Sequence, residues 1–168
     1  PGQRLGLIGH YAATELIAGR EVLRHACQQL ADKGCTLAVG PMDGSTWRSY
    51  RHITERNSEP VFFLESDNPD DWPAHYYKAG FHALASYCSA LNPDLNRLDY
   101  HTAERAARFA RQGIRIRSAG SDLEAELLRI FTVARSSFRE NFLYTPIRED
   151  EFLSQYRKIL PYVRPELV

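Results

Sequence analysis

Net charge is the first thing this sequence lacks. Twenty-one Lys and Arg balance twenty-one Asp and Glu, so no global field draws the chain to nucleic acid or to a membrane surface. Long apolar runs are missing too, and no segment approaches the ~20 residues that cross a bilayer. Cysteine is sparse: Cys27, Cys35 and Cys88 form no CxxC pair and leave an odd count. With no signal peptide read at the N-terminus, that usage predicts a reducing, cytoplasmic compartment and excludes a disulfide framework. The cysteines and six histidines show no metal-ligand spacing, so no metal is expected. There is no Walker loop, no GxGxxG and no GxSxG elbow, which removes P-loop, dinucleotide-fingerprint and nucleophile-elbow chemistry. Lysine is scarce as well. The positive charge is almost all arginine, a residue suited to bidentate contacts, although most of these arginines read as solvated helix faces.

What is present is enough for a core. The chain has 168 residues, 43% of them hydrophobic, with 9 Tyr and 8 Phe, which fits one domain that buries much of its surface. Residues Arg4 to Ala13 read as a strand. From Gly19 the apolar positions Val22, Leu23, Ala26, Cys27 and Leu30 follow a helical stripe, Gly34 ends it, and Cys35 to Val39 give a second strand. Strand, helix, strand predicts a parallel pair with a right-handed crossover. Gly40 to Gly44 is turn chemistry. Ser45 to Glu59 then reads as a long loop with at most a helical turn, in which Trp47 and Tyr50 either cap the core edge or touch substrate.

The stretch from Pro60 to Tyr87 organises the rest. It predicts a buried strand over Val61 to Leu64, a turn at Ser66 to Pro69, a short helix through Ala74, Tyr76 and Tyr77, a stop at Gly80, and a strand from Phe81 to Leu91. Asp67, Asp70 and Asp71 form either a carboxylate cluster or, as preferred here, a solvated turn. Downstream, Thr102 to Gln112 predicts a helix and Ile114 to Arg117 a short strand. The arginines at 105, 108, 111, 115 and 117 are either a phosphate contact or a solvated face, the latter preferred. Ser121 and Glu124 look like a capping box for a helix reaching about Arg139. Thr145-Pro146 opens another helix that runs to Pro161, and Pro165 to Val168 look like the start of a strand.

The residues Asn68, Ala74, Tyr76, Lys78, Gly80 and Phe81 resemble the "N…A…Y-x-K-x-G-F" element of the GNAT superfamily of acyl-CoA-dependent N-acetyltransferases, with an Asn-to-Tyr spacing one residue longer than usual. The resemblance implies an α/β (α+β) fold, a mixed sheet flanked by helices. It covers nearly all of the chain in swapped order. Residues 1–92 look like the second, cofactor-binding half of such a domain, 93–112 like a linker helix, and 113–168 like the first half of another. Two arrangements fit: a fragment of a tandem protein, which is preferred, or a permuted or exchanged domain that could pair as a homodimer.

The resemblance also implies a site. Acetyl-CoA would place its pyrophosphate on the N-terminus of the first helix, where unpaired N–H groups and the dipole favour an anion. The residues carried over for cofactor binding are Tyr11, Ala12, Ala13, Ala18, Gly19, Arg20 and Asn68. Gly19 and Arg20 match the end of the family's Q/R-x-x-G-x-G/A signature, whereas Thr14 and Ile17 depart from it and Glu15 adds a like charge. Tyr76 stands where the family places the acid that reprotonates the leaving thiolate, with core packing as the alternative. His10 and His75 are candidate bases, each of them also readable as a structural histidine. Two functions stay open: N-acetyl transfer to an unidentified amine, or a non-catalytic module of the same fold, structural or dimerising, with a degenerate CoA site.

Overall fold

The computed structural model describes residues 2–94, 96 and 101–164. The chain is mixed α/β and mostly helical, and its described strands form one two-stranded parallel sheet. It divides into two compact units. One is built from residues up to Leu84 together with Ser137–Ile147, and the other from Ala85–Ser136 with the residues from Arg148 onward.

The first unit begins with the expected strand–helix–strand. Strand β1 (Leu5–Leu7) pairs in parallel with β2 (Leu37–Val39), Leu5 opposite Leu37 and Leu7 opposite Val39. Between them runs helix α1 (Leu16–Asp32), whose stripe buries Leu23 completely and presses Ala26, Cys27 and Leu30 towards the same cluster. Both strands are shorter than the apolar runs that contain them. Past Val39 the chain turns through Gly40-Pro41, and Ile8 prolongs the ladder by donating to Val39 O at 2.9 Å and accepting from Met42 N–H at 2.8 Å. Helix α2 (Trp72–Lys78) starts with Pro73 in its first turn, where a missing N–H costs nothing. It ends at Gly80, whose φ of +97° is the left-handed stop that glycine supplies.

Three expected strands are absent among the described residues. Phe62, Phe63 and Leu64 are exposed, Leu64 has φ +70°, and Glu65 N–H closes a turn onto Phe62 O. Val61 to Leu64 is therefore a bend. Phe81 to Leu91 and Ile114 to Arg117 also lack a ladder, with Leu84, Tyr87, Leu91, Ile114 and Ile116 exposed. Alternating side chains fix which residues share a face, but a strand exists only when a neighbour takes its N–H and C=O groups. The mixed sheet is accordingly reduced to β1 and β2. The strand expected from Pro165 and the extended piece read over Leu95 to Tyr100 fall outside the described residues, Asn96 excepted.

In the second unit, helix α3 (Thr102–Arg111) has no buried residue. Helix α4 (Leu123–Ser137) buries Leu127, Phe131 and Ala134. Its cap differs from the expected Ser121–Glu124 box. Asp122 Oδ1 accepts from Ala125 N–H at 3.0 Å, one register later, and Glu126, two residues beyond Glu124, accepts from Gly120 N–H at 3.2 Å. Helix α5 (Glu149–Tyr156) starts three residues after Pro146 and carries Glu149, Asp150 and Glu151 in its first turn, where the dipole favours acidic groups. The expected run to Pro161 breaks after Tyr156 into a 3-10 turn over Leu160–Tyr162. Phe152, 1% exposed, lies 5.2 Å from the ring of Phe131 and 4.4 Å from that of Tyr156, the aromatic centre of this core.

Candidate functional site

An aromatic cluster forms where β1 runs into α1 and α2 packs behind them. Tyr11 leaves the end of β1 and lies edge-on to Trp72 at 5.1 Å and to Tyr76 at 5.0 Å. Tyr76, on the buried side of α2, meets Phe81 at 5.1 Å and His52 at 4.9 Å. With Ile8 and Leu23 these tyrosines make the buried core of the first unit. T-shaped contacts of this kind set the positive edge of one ring against the negative face of another.

Polar links tie the cluster together. The Tyr11 hydroxyl hydrogen-bonds His75 Nδ1 at 2.7 Å, and His75 Nε2 stands 3.4 Å from Asp71 Oδ2 one helical turn earlier. His75 is 1% exposed. Burial, and then the nearby Asp71 charge, raise the Tyr11 phenol above its ordinary value. Trp72 Nε1–H donates to Ala13 O at 2.9 Å, pinning the β1–α1 connection to α2. Gly19 lies directly over this arrangement, because a Cβ there would fall 2.2 Å from the Tyr11 hydroxyl oxygen and 2.5 Å from His75 Nδ1. Only a residue without a side chain lets α1 approach so closely.

Tyr76 is buried, and its hydroxyl has no hydrogen-bond partner. Desolvation is the main cause of a phenol pKa far above the usual value, with Tyr11, Asp43 and Cys27 adding to it. The hydroxyl therefore stays protonated throughout the neutral range and is a hydrogen-bond donor there.

Asn68, 8% exposed, is buried at the turn before α2. Its Oδ1 accepts from Ile53 N–H at 2.7 Å, while Nδ2 donates to Pro69 O at 2.8 Å and to Ile53 O at 3.3 Å. The side chain thus imitates a strand neighbour for Ile53 and fixes the long loop after β2. Arg56 strengthens the same junction through Asp67 at 3.0 Å, Asp70 at 2.8 Å and Asn68 O at 2.8 Å. Arg51 does so through Glu65 at 3.2 Å. Two of the three carboxylates read as a turn cluster are therefore arginine partners, and the third faces His75. Elsewhere in the loop, Trp47 meets Phe138 at 5.9 Å and Tyr144 at 6.0 Å and donates to Thr145 O, so it is an anchor.

Of the residues singled out in the sequence, Tyr11, Ala13, Gly19 and Tyr76 converge on this cluster, and Asn68 joins it through the loop. Ala12 and Ala18 are exposed at the two sides of the α1 start. Arg20 is half exposed and lies 3.4 Å from Glu21. Helix α1 has no side-chain cap at Glu15, and its first internal bond runs from Gly19 N–H to Glu15 O. The amides of Leu16, Ile17 and Ala18 precede it. Ile17 is 70% exposed, so its side chain is not packed into the fold. His10 is an exposed residue with φ +52°, its N–H bonded to Asp43 Oδ1 at 2.6 Å. His52 was not read as a site residue. Its place depends on the Asn68 clamp, a contact between distant residues that leaves no local pattern. No protein-family model, curated protein or solved structure matches the chain.

Proposed function

We propose that the chain is an acyl-CoA-dependent N-acetyltransferase-like protein that transfers an acetyl group from acetyl-CoA to an amine. One observation carries this reading. Tyr11, which follows β1, lies against Gly19 in the first turn of α1 and 5.0 Å from the Tyr76 ring, and this nearness supports pairing an acid at Tyr76 with an anion site at the start of α1. The amides of Leu16, Ile17 and Ala18 would hold the pyrophosphate, with Ala12, Ala13 and Ala18 adding little bulk around them, Gly19 letting α1 sit close on the cluster and Tyr11 shaping the floor. The rate gain would come mainly from positioning amine and thioester. Tyr76 would return a proton to the leaving thiolate. In this reading the protein is cytoplasmic and acts without metal, nucleic acid or membrane. The halves at 1–92 and 113–168 complete one another either in a longer tandem chain or by exchange in a homodimer. No helix among the described residues is long and apolar enough to cross a membrane.

A second reading has its own support. Tyr76 is 4% exposed and sits in the core cluster, which suits a non-catalytic structural or dimerisation module whose CoA site has degenerated. Calorimetric titration of the 168-residue chain with acetyl-CoA, with its solution mass measured in parallel, separates the two. Saturable binding with a matching rise in Tm supports the enzyme. Tyr76→Phe should then lower kcat and leave acetyl-CoA affinity unchanged. Absence of binding at millimolar ligand overturns the enzyme reading in favour of the module.

A further inference from the structure

Two buried polar atoms of the first unit have no partner, the Tyr76 hydroxyl and His52 Nε2. They belong to rings in edge-to-face contact at 4.9 Å. Native interiors leave few such groups unsatisfied, so two on touching rings call for an explanation.

The hydrogen bonding of Asn68 fixes what His52 offers. Both Asn68 N–H groups are spent, on Pro69 O and Ile53 O. Its oxygen takes Ile53 N–H and is the group left to act on the His52 ring. An amide oxygen only accepts, and Nε2 is the imidazole nitrogen without a partner, so the Asn68 oxygen favours the tautomer with its proton on Nδ1. In that tautomer Nε2 is a bare lone pair. Burial holds the ring neutral, with a pKa lowered to about 4 despite the Asn68 bond that works in the opposite sense. At neutral pH the site therefore presents one hydroxyl and one acceptor, no cation, and a wall made by Trp72, 6.0 Å from His52, and by Tyr11 and Phe81.

We propose that His52 Nε2 and the Tyr76 hydroxyl form a two-point binding site for the N–H-bearing acceptor, and that Asn68 is a positioning residue that sets the imidazole tautomer. A primary amine satisfies both atoms at once, donating to Nε2 and accepting from or donating to the phenol. The neutral imidazole does not repel it when it is protonated, and the surrounding ring faces favour a cation. The loop carrying His52 seals the site, so the amine enters by displacing residues 51–56 from their Arg51 and Arg56 contacts. The inference rests on the acyl-transfer reading for its choice of ligand but is tested without the cofactor.

The test is NMR titration of the full chain with ethylammonium chloride, using sodium chloride at equal ionic strength and ethanol as controls. Saturable shifts of the His52 ring signals with ethylammonium alone are expected. Tyr76→Phe removes the hydroxyl alone, whereas His52→Phe keeps an aromatic ring and removes both imidazole nitrogens. Each should weaken binding about tenfold, and Tyr76→Phe should do so without lowering Tm, since only an unsatisfied buried group is lost. Asn68→Ala removes the accepting oxygen, so the His52 15N shifts should move towards the other tautomer and binding should weaken in step, with the α1 amide signals showing that the fold is kept. No saturation, or a response shared by ethanol, overturns the proposal. So does a fall in Tm for Tyr76→Phe. Acetyl-CoA binding without amine binding sinks this inference and leaves the acyl-transfer reading standing. Amine binding without acetyl-CoA binding does the reverse.

Discussion

The Tyr11 hydroxyl and His75 Nδ1 are joined at 2.7 Å directly beneath Gly19. One hydrogen bond thus sits at the meeting point of β1, α1 and α2, and its two side chains are among the most buried of the unit.

Gly19→Ala should be destabilising although it lies in a helix. Alanine normally gains about 1 kcal/mol over glycine in that setting. Here the new methyl collides with Tyr11 and His75, neither at the free end of a flexible chain, and overpacking costs about 1–3 kcal/mol. Urea unfolding should show a net loss. A gain would mean that α1 can move away from α2 without cost.

Tyr11→Phe should cost about 1–3 kcal/mol, because it leaves the buried His75 Nδ1 without its partner while changing packing little. Loss of aromatic contact is held to a minimum, so the effect reports the hydrogen bond. Unchanged stability in urea would show that His75 turns to another partner, Asp71 being the nearest.

Asn68→Ala removes the three bonds that hold Ile53 and Pro69. Hydrogen exchange at the Ile53 amide should accelerate far more than exchange within α1. Equal acceleration at both would point to general destabilisation and against a local clamp.

Acid should weaken the fold through His52. Its folded pKa, about 4, lies below the ordinary 6.5, so between those values the unfolded chain binds more protons. Stability is fully present above pH 6.5 and declines as pH falls towards 4. Asp67, Glu124, Glu126 and Asp150 are also held low, chiefly by hydrogen bonds from Arg56, Arg157, Arg117 and Arg148, and they add acid sensitivity in any variant. Urea midpoints measured across this range should therefore fall less steeply for His52→Phe than for the parent. Parallel curves would show that the ring is not buried as described.

The helices were legible because their signals are local. The stripe at Leu23, Cys27 and Leu30 and the stop at Gly80 each act within a turn or two. The strands expected at Val61, Phe81 and Ile114 failed for the opposite reason. An apolar alternation has no means of stating which chain will pair with it. The same division runs through the site. Tyr11, Gly19, Asn68 and Tyr76 were marked by a family-like spacing, and all reach one region. What Asn68 does there was not marked, since its amide binds the loop at Ile53, 15 positions away. His52 follows from that clamp and was invisible without it.

The seat of Trp47 bears on the order in which the first unit forms. Its indole N–H reaches Thr145 O across 98 positions, whereas Trp72 reaches Ala13 O across 59. Closing the larger loop costs more chain entropy. The two tryptophans are therefore clocks set to different times. In refolding traces, a chain keeping only Trp47 should lag behind one keeping only Trp72, and coincident traces would show that the whole unit condenses in a single step.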